Sequence, residues 1–444
     1  MICYNLFVIV SVIGAGLAGC EAALYLARRD VSVKLIDIKP QKMTPAHNST
    51  CFGELVCSNS LKSTDINTAG GLLKAELELL NCSLIKIAKG CTVAAGAALA
   101  VDRKKFEDNV TNAIKAEKLI DVECKEVEDF LETGISCPQY TVIATGPLTT
   151  GKLADNIAAR LNGGLYFFDA AAPIISYESI DLTQTFVADR YGKGESTGGD
   201  YINCPLAKDE YYIFVNELVS AKTAPLKSFE TDVKTFAGCQ PVEYIAKNGR
   251  DSLRYGPMRP VGLRLPDGTR PYAVLQLRRE NADGTMYNLV GFQTNLTFSE
   301  QIRVFGLIPA LKDAEYYRYG VMHRNTYINA PSVINNRFEC KNYPSVYVVG
   351  QLSGVEGYVE SIAAGLIAAI DISNKIGGRP PLELPETTIL GALTNYLTKP
   401  RDNFQPMNAN FGLLPPVEAR KKDERKKAYG ERSIRDLKIK IMQL

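Results

Sequence analysis

The stretch "VIVSVIGAGLAGCEAALYLARRDVSVKLID", residues 8–37, contains two β-branched runs separated by a glycine-rich turn and a helical pattern. Residues 8–13 predict a first strand, the helix is expected to end near Arg29, and residues 31–36 predict a second strand. Such a strand–helix–strand order is typical of a parallel α/β sheet.

The turn carries three glycines with the spacing GxGxxG, and each glycine has a separate physical role. Gly14 permits the tight turn, Gly16 lets a pyrophosphate approach the backbone, and Gly19 lets the helix pack closely on the sheet. The second strand ends at Asp37, whose carboxylate can accept hydrogen bonds from ribose hydroxyls. We therefore predict a dinucleotide site formed by Gly14, Ala15, Gly16, Leu17, Ala18, Gly19 and Asp37.

Two later segments favour FAD over NAD as the dinucleotide. "YTVIATGPL" (140–148) reads as a return strand, and 344–370 reads as another strand, a glycine turn and a long helix of small residues. The fold class predicted is α/β, with a Rossmann-like discontinuous FAD-binding domain and an inserted strand-rich α/β domain. The further cofactor-binding candidates are Gly146, Gly350, Gln351, Gly354 and Glu356.

The same reading divides the chain into four segments. Residues 1–150 and 331–385 are predicted to be the two parts of the FAD-binding domain, and 151–330 the inserted RNA or substrate domain. Residues 386–444 are predicted to be a C-terminal helical segment. Within the insertion, Asp283-Gly284 is a hairpin signal between two β-rich runs.

Composition limits the class of protein. The 444 residues are 46% hydrophobic and 23% charged, as in an ordinary globular protein. The eleven cysteines include no CxxC pair and there are only two histidines, which argues against a disulfide scaffold and against a metal site. The apolar start "MICYNLFVIVSVIG" lacks a cationic leader and is too short to span a bilayer, so a cytoplasmic enzyme without a membrane partner is expected.

Charge is unevenly distributed along the chain. Between residues 247 and 279 there are eight cations and two anions, which leaves −4 for the rest of a chain whose net charge is +2. This basic window is either a solvated arginine-rich surface or a face that binds phosphates, because guanidinium groups match phosphate bidentately.

The segment "GELVCSNSL" (53–61) places Cys57 among small polar residues. A reactive thiol needs polar surroundings, whereas a structural one is usually buried among apolar side chains. Cys57 is therefore a packing residue, half of a redox pair with Cys51, or a nucleophile. Five residues separate Cys51 from Cys57, where flavoprotein disulfide reductases have four. Cys239, at the start of the basic window, is a second candidate thiol.

Several blocks resemble one family, the flavin- and folate-dependent tRNA (uracil-5-)-methyltransferases. They include "ELVCSNSL", "NCPLAKDEY", "LRYGPMRPVGL", "YGVMHRNTYIN", "GQLSGVEGYVES" and "FQPMNANFGLLPP", and the likeness runs from residue 8 to about 418. The larger flavoprotein that adds carboxymethylaminomethyl groups to tRNA shares the glycine motif, but it is much longer and lacks the cysteine blocks.

The resemblance implies an RNA methyltransferase that forms 5-methyluridine. Methylenetetrahydrofolate would supply the carbon, reduced FAD the electrons, and NAD(P)H would reduce the flavin. Cys57 and Cys239 would be catalytic, with Cys57 favoured as the nucleophile that adds to uracil C6 and the other thiol assisting proton removal from C5. The basic window would bind RNA through Arg250, Arg254, Arg259 and Arg278.

The chain also departs from the family pattern. After "GFQT" the family usually has a His and a Trp, where this chain has Asn295 and Phe298. Stacking on a pterin would be weakened by this change. The alternatives to a tRNA T-loop uridine are the same chemistry on a ribosomal RNA uridine, and a module that binds FAD and RNA without turnover.

Overall fold

The computed structural model describes residues 8–44, 47–132, 139–149, 151–161, 164–192, 199–224, 240–401, 404–419 and 421–443. Its strands, in chain order, are β1 Ile9–Ile13, β2 Ser32–Asp37, β3 Ser60–Ser63, β4 Thr92–Val93, β5 Ala98–Val101, β6 Ile120–Cys124, β7 Tyr140–Ile143, β8 Gly164–Ala170, β9 Ile174–Ser176, β10 Phe186–Val187, β11 Tyr201–Leu206, β12 Ala273–Arg279, β13 Met286–Leu289, β14 Tyr316–Arg318, β15 Met322–Ile328 and β16 Val346–Val348.

The α-helices are α1 Leu17–Ala27, α2 Ala69–Leu79, α3 Ser83–Lys89, α4 Arg103–Ala116, α5 Gly151–Arg160, α6 Lys208–Ser220, α7 Val242–Lys247, α8 Phe298–Phe305, α9 Ala330–Val333, α10 Tyr358–Ile376, α11 Ile389–Thr398 and α12 Lys422–Ile441. Short 3₁₀ helices lie at Tyr177–Ser179, Leu182–Gln184, Arg190–Gly192, Ser252–Tyr255, Pro309–Leu311, Gly350–Ser353 and Phe411–Leu413. Among the described residues, no helix is long and apolar enough to cross a membrane.

The central sheet is parallel and has the strand order β16-β7-β1-β2-β6. It joins strands from the two ends of the chain, since β16 pairs with β7 more than 200 residues away. The predicted strands at 8–13 and 31–36 are confirmed, and the first helix ends at Ala27, two residues earlier than predicted. The discontinuous Rossmann-like domain is thus confirmed.

Helices α1 and α10 pack against each other at small residues. A Cβ at Gly365 would lie 2.1 Å from the Ala18 carbonyl oxygen, and one at Gly19 would lie 1.9 Å from that of Gly14. Both glycines therefore serve close packing. Because α10 follows β16 and α1 follows β1, this packing brings the two helix N-termini to the same edge of the sheet.

A second sheet, with the order β10-β11-β12-β13-β9-β14, is antiparallel. The predicted hairpin is confirmed: β12 pairs with β13, and Gly284 in the turn has φ +67°. The side chains under this sheet form an apolar cluster separate from the one around the central sheet. Both ends of the predicted insertion pack into the first cluster, through Leu153, Ile157, Leu161, Tyr327, Ile328 and Ala330. The domain boundaries drawn from the sequence stay a prediction.

Two fully buried glutamates hold helix N-termini in the first cluster. Glu21 accepts the N–H groups of Ser83 and Leu84, at 2.9 and 2.8 Å, at the start of α3. Glu76 accepts those of Ile389 and Leu390, at 2.7 and 2.8 Å, at the start of α11. Each carboxylate satisfies backbone donors that a helix leaves unpaired, and its charge complements the helix dipole.

Replacing Glu76 with alanine should lower the free energy of unfolding by about 2 kcal/mol or more, because two buried N–H groups lose their acceptor. Glu78 lies on the same helix and pairs with Lys89 at the surface, so Glu78→Ala should change stability by about 1 kcal/mol or less. Urea unfolding followed by circular dichroism measures both. Equal effects of the two substitutions would contradict the capping role of Glu76.

Candidate functional site

A cleft lies at the carboxyl edge of the central sheet. It is lined by the segments that follow β1, β2, β7 and β16, at residues 14–18, 37–39, 144–149 and 350–351. Ligands of open parallel sheets bind at this edge. The cleft is therefore the candidate site for the predicted dinucleotide.

The glycine turn leaves a cradle beside the first turn of α1. Gly14 has φ +103°, and a Cβ there would lie 2.6 Å from the Ala144 carbonyl oxygen. Gly16 differs, because a Cβ at this position would meet no atom within 4 Å and would project into open space. The space at Gly16 is thus available to a ligand. The backbone N–H groups that begin α1 would donate to an anionic group bound there.

Asp37 ends β2 and is buried at the cleft wall. Its carboxylate accepts the N–H of Ala15 at 2.6 Å and the N–H of Lys39 at 2.8 Å. These bonds fix the carboxylate against the glycine turn. An ionised carboxylate has about four lone-pair sites, so two remain for ribose hydroxyls.

A buried ion pair also lines the cleft. Lys39 Nζ lies 3.6 Å from Glu54 Oε2, and both side chains are about 5% exposed or less. Lys39 also donates to the carbonyl groups of Ser49 and Cys51, whereas Glu54 Oε2 is buried without a hydrogen-bond partner. A buried acceptor without a donor calls for one from a ligand, and the hydroxyls of a ribityl or ribose chain would satisfy it.

His47 lines the same cleft, and Thr44 Oγ1 lies 2.6 Å from its Nδ1. Burial, with Lys39 acting in the same direction, lowers the pKa of His47 to about 4. The imidazole is therefore neutral at physiological pH and presents one donor and one acceptor. Together with the open space at Gly16 and the orphan oxygen of Glu54, this polar wall fits an FAD molecule.

The cofactor-binding residues predicted from sequence do not all line the cleft. Gly14, Ala15, Gly16, Leu17, Ala18, Asp37, Gly146, Gly350 and Gln351 do. Gly19 instead packs on Gly14, and Gly354 packs on Phe404, whose Cζ would lie 2.6 Å from a Cβ. Glu356 accepts a hydrogen bond from Gln351 Nε2 at 2.6 Å and so orients a lining residue instead of lining the cleft.

Cys57 lies beside this cleft on the loop that follows Glu54. Its neighbour Val56 lines the cleft, as does Tyr358 at the start of α10. The Tyr358 hydroxyl oxygen accepts the N–H groups of Cys57 at 2.6 Å and Ser58 at 3.1 Å. Cys57 is half-buried, and its Sγ lies 4.0 Å from the Ala170 carbonyl oxygen. The structure thus brings the predicted nucleophile to the edge of the cofactor cleft.

Two guanidinium groups bind the carbonyl groups of the same loop. Arg318 donates to Cys57 at 2.6 Å and to Val56 at 3.3 Å. Arg103 donates to Leu55 and Cys57 and pairs with Glu280 at 2.9 Å. Burial lowers the pKa of Arg318, and the neighbouring Arg103 acts in the same direction. The backbone of the loop is therefore held by two guanidinium groups, one from α4 and one from β14.

Cys51 has a different environment. Its Sγ lies 3.4 Å from Asp108 and 3.6 Å from Lys104. Within the part of the chain that the structure describes, none of the cysteines forms a disulfide. Cys51, Glu107 and Asp108 cluster closely, but Lys104 ion-pairs with both carboxylates, so a lysine already provides the cation there. Cys239 lies outside the described residues.

The basic window is only partly a solvent-facing surface. Arg250 and Arg259 are exposed, and Arg250 lies over the Tyr212 ring at 4.5 Å. Arg254 is half-buried, donates to the Tyr272 carbonyl at 2.9 Å and pairs with Asp251. Arg278, which was predicted to contact RNA, is 7% exposed, and its Nε donates to Asn59 Oδ1 at 3.0 Å, so it is not part of the exposed basic surface.

Neither residue that departs from the family pattern lines the cleft. Asn295 is buried under the second sheet, where its N–H donates to Glu243 and its side chain to the Ala224 carbonyl. Phe298 begins α8 and is 53% exposed, with its ring stacked on Tyr319 at 4.5 Å. The predicted weakening of pterin stacking stays a prediction.

Sequence reasoning missed several lining residues. Lys39, Thr44, His47, Glu54, Thr149, Tyr358 and Ser361 all line the cleft. Thr44 and His47 belong to the block "TPAH" (44–47), and Glu54 belongs to the block "ELVCSNSL" (54–61). Their position soon after the glycine motif was the signal that could have identified them. Arg103 and Arg318 carried no such signal, because their positions along the chain are far from Cys57.

Comparison with known proteins gives one consistent result. The family model described as "Glucose inhibited division protein A" matches residues 9–380. A protein of Acetivibrio thermocellus named methylenetetrahydrofolate--tRNA-(uracil-5-)-methyltransferase TrmFO is 50% identical over 433 residues, which cover 97% of each chain. A protein of the same name from Listeria innocua is 47% identical over 441 residues, which cover 98% of this chain and 99% of the relative.

Among solved structures, the Aquifex aeolicus GidA in its form II crystal matches with a TM-score of 0.68. The match covers 99% of this chain and 74% of that protein, at 15% sequence identity. At this identity the likeness shows a shared fold.

Replacing Gly16 with valine should abolish flavin binding, because the side chain would fill the open space beside the helix N-terminus. The backbone at Gly16 has φ −75°, which valine adopts, so the apoprotein should still fold. Gly90→Val is the matched control at a helix end outside the cleft. Absorbance near 450 nm after gel filtration reports bound flavin. Retention of flavin by the Gly16 variant would move the pyrophosphate site elsewhere.

Proposed function

This chain belongs to the GidA family and, within it, to the methylenetetrahydrofolate--tRNA-(uracil-5-)-methyltransferases, and we propose that it forms 5-methyluridine in tRNA. The observation that carries the proposal is the position of Cys57. Its thiol lies on a loop whose neighbouring residue lines the cofactor cleft and whose backbone is fixed by Tyr358, Arg103 and Arg318.

The chemistry divides between bound molecules and side chains. FAD, reduced by NAD(P)H, supplies the electrons that convert the one-carbon unit of methylenetetrahydrofolate into a methyl group. The chain must hold that cofactor, bring the uracil ring to it and make C5 of the ring nucleophilic. Residues 14–18, Asp37, Glu54 and Gln351 are the groups that would hold FAD.

Uracil C5 is a poor nucleophile until a group adds to C6. The Cys57 thiolate forms a bond to C6, and the electron pair of the C5–C6 double bond becomes available at C5. After C5 has bound the carbon unit of methylenetetrahydrofolate, removal of the C5 proton lets its electron pair form a double bond to that carbon, and tetrahydrofolate leaves. A hydride equivalent from reduced FAD would then convert this carbon into the methyl group, while the C5–C6 double bond re-forms and the Cys57 thiolate leaves C6. The thiol of Cys239 is proposed to assist removal of that proton.

The RNA is expected to bind the exposed part of the basic window. Arg250 and Arg259 face solvent on the second sheet's side of the molecule, and Arg250 is pre-ordered by its contact with the Tyr212 ring. Because Arg254 and Arg278 have internal partners, they are left out of this surface. A uridine in a loop must turn its base outward to reach Cys57.

We place the reaction in the cytoplasm. Cysteines that remain as thiols are usual where glutathione keeps proteins reduced, and the described cysteines form no disulfides.

The direct test is an assay with purified holoprotein, NADPH, methylenetetrahydrofolate and undermethylated total RNA. We expect 5-methyluridine in the T loop of tRNA, mapped by nuclease digestion and mass spectrometry. If 5-methyluridine appeared only in ribosomal RNA, the proposed reaction would stand, but the substrate would be ribosomal RNA instead of tRNA. Flavin and RNA binding without any 5-methyluridine would leave a binding module only.

Cys57→Ala and Cys239→Ala should each keep bound flavin and lower methyl transfer below detection, because covalent activation and proton removal are both needed. Cys51→Ala is the matched control and should keep at least about half of the wild-type rate, since Cys51 Sγ contacts Asp108 and Lys104 outside the cleft. Full activity of Cys57→Ala would show that this thiol only packs.

RNA that carries 5-fluorouridine at the target position separates the two thiols. Fluorine at C5 cannot leave as a proton, so the adduct at C6 should persist and migrate as a covalent complex on a denaturing gel. Wild-type protein and Cys239→Ala should form it, whereas Cys57→Ala should not. A complex that survives Cys57→Ala would assign the nucleophile to Cys239.

Reversing the charge at both Arg250 and Arg259 should weaken RNA binding and reduce the slope of log affinity against log salt by about 1.4–1.8, since each lost phosphate contact removes roughly 0.7–0.9 from the slope. The matched control reverses Arg425 and Lys427 on α12, which are also exposed. Filter binding between 50 and 300 mM KCl gives both slopes. A reduced slope in the Arg425 and Lys427 variant alone would indicate that the RNA binds α12 instead.

A further inference from the structure

Tyr255 is the most exposed aromatic side chain among the described residues, with 84% of its surface open to solvent. It is the last residue of the 3₁₀ helix Ser252–Tyr255, which lies inside the basic window. Tyr212 and Tyr272 differ, because their hydroxyl oxygens lie 2.8 Å apart and a guanidinium group of the window lies over each ring. The ring of Tyr255 therefore has a face available to a ligand.

The backbone that carries Tyr255 is fixed on both sides. Leu253 and Met258 are fully buried in the apolar cluster of the second sheet. The N–H of Met258 donates to the Leu253 carbonyl at 2.8 Å, and the N–H of Val274 on β12 donates to the Met258 carbonyl at 3.1 Å. The ring is thus presented from an anchored segment. A tyrosine side chain has only two rotatable angles to order, so a contact with it costs little conformational entropy.

The charge on both sides of this tyrosine is positive and unpaired. Arg250 and Arg259 are exposed, and among the described residues neither has a carboxylate within 4.0 Å. The two carboxylates of the window are already engaged, because Asp251 pairs with Arg254 at 3.4 Å and Asp267 accepts hydrogen bonds within its own turn. An anion for the two exposed guanidinium groups must therefore come from another molecule.

A single exposed aromatic side chain is common on protein surfaces and identifies no ligand. Here it stands five residues after Arg250 and four before Arg259, so its Cα lies at most ~18 and ~14 Å from theirs. A ligand that matches such a patch has a flat ring and negative charges on both sides of it. Single-stranded RNA has this pattern, since its unpaired bases stack on aromatic side chains while cations bind its phosphates.

We propose that Tyr255 is the platform on which an unpaired base of the RNA stacks, between phosphates bound by Arg250 and Arg259. This inference rests on the proposed function, because it takes RNA as the substrate, and it adds a preference for unpaired nucleotides. The phosphate contacts alone bind any RNA, whereas the ring binds a base only where the strand is unpaired. The surface thereby selects a loop, where a uridine can be turned outward.

The test compares two RNA probes by fluorescence anisotropy with the flavin-containing protein. One is a hairpin with the stem and the unmodified loop of a tRNA T arm, and the other is a duplex of the stem sequence alone. Tyr255→Ala should bind the hairpin about tenfold more weakly than wild type and the duplex within about twofold of it, because only the hairpin loses a stacked base. The slope of log affinity against log salt should stay that of wild type, since no phosphate contact is lost.

Two variants serve as controls. Tyr255→Phe keeps the aromatic ring and should bind the hairpin within about twofold of wild type. Tyr317→Ala removes another exposed ring, on β14 and 62% exposed, and should bind both probes as wild type does. Bound flavin, measured by its absorbance, confirms that each variant is folded.

Unchanged hairpin affinity in Tyr255→Ala would overturn the inference, and so would equal losses for hairpin and duplex, which would indicate general damage. A loss as large in Tyr255→Phe would assign the contact to the hydroxyl group instead of the ring. A lower molar mass of Tyr255→Ala in light scattering, with unchanged RNA affinity, would assign the ring to a contact between two copies of the chain.

The same measurements separate this inference from the proposed function. If wild type forms 5-methyluridine in tRNA and Tyr255→Ala retains full hairpin affinity, only the stacking inference fails. If wild type binds neither probe, RNA is not the substrate and both fail.

Discussion

The hydroxyl group of Tyr358 is the contact on which the arrangement of the site depends. It accepts two backbone N–H groups of the cysteine loop, while the same side chain lines the cofactor cleft. Tyr358 is the first residue of α10, and the position of α10 is fixed by its close approach to α1 at Gly365. The packing of two helices near opposite ends of the chain therefore sets the position of the Cys57 loop relative to the cleft.

The second constraint is that the cysteine loop is held from both domains at once. Asn59 is fully buried and donates to the carbonyl groups of Val101 and Arg279, while its side-chain oxygen accepts from Arg278. Glu280 and Arg103 form a buried pair across the same boundary. Breaking such a pair on one side leaves an uncompensated charge, so this boundary resists opening. Residues at and just after the end of β12 on the second sheet therefore help to hold the cysteine loop beside the cleft.

Much of the cofactor domain could be predicted from sequence, because its signals are local. Gly14 has φ +103°, a backbone conformation that favours glycine, and a Cβ at Gly19 would meet the carbonyl oxygen of Gly14, only five residues away. Strand periodicity marks β1 and β2. The contacts of the later glycine turn, at Gly350 and Gly354, were harder to predict from the sequence. Gly354 resembles Gly350 in sequence, but it packs against Phe404, a partner that only the folded chain provides.

The arrangement of charged side chains in the fold was the property least predictable from the sequence, and the reason is physical. Counting cations along the chain selected residues 247–279, yet Arg278 of this window is buried and serves Asn59. The two guanidinium groups that face the cysteine loop, Arg103 and Arg318, stand outside that window, 46 and 261 residues from Cys57. Electrostatic effects depend on distance in space and on burial, and neither follows from spacing in sequence. The polar neighbours of Cys57 are consequently visible in the sequence, whereas the guanidinium groups that bind its carbonyl oxygen are identified only when distant strands and helices converge on the loop.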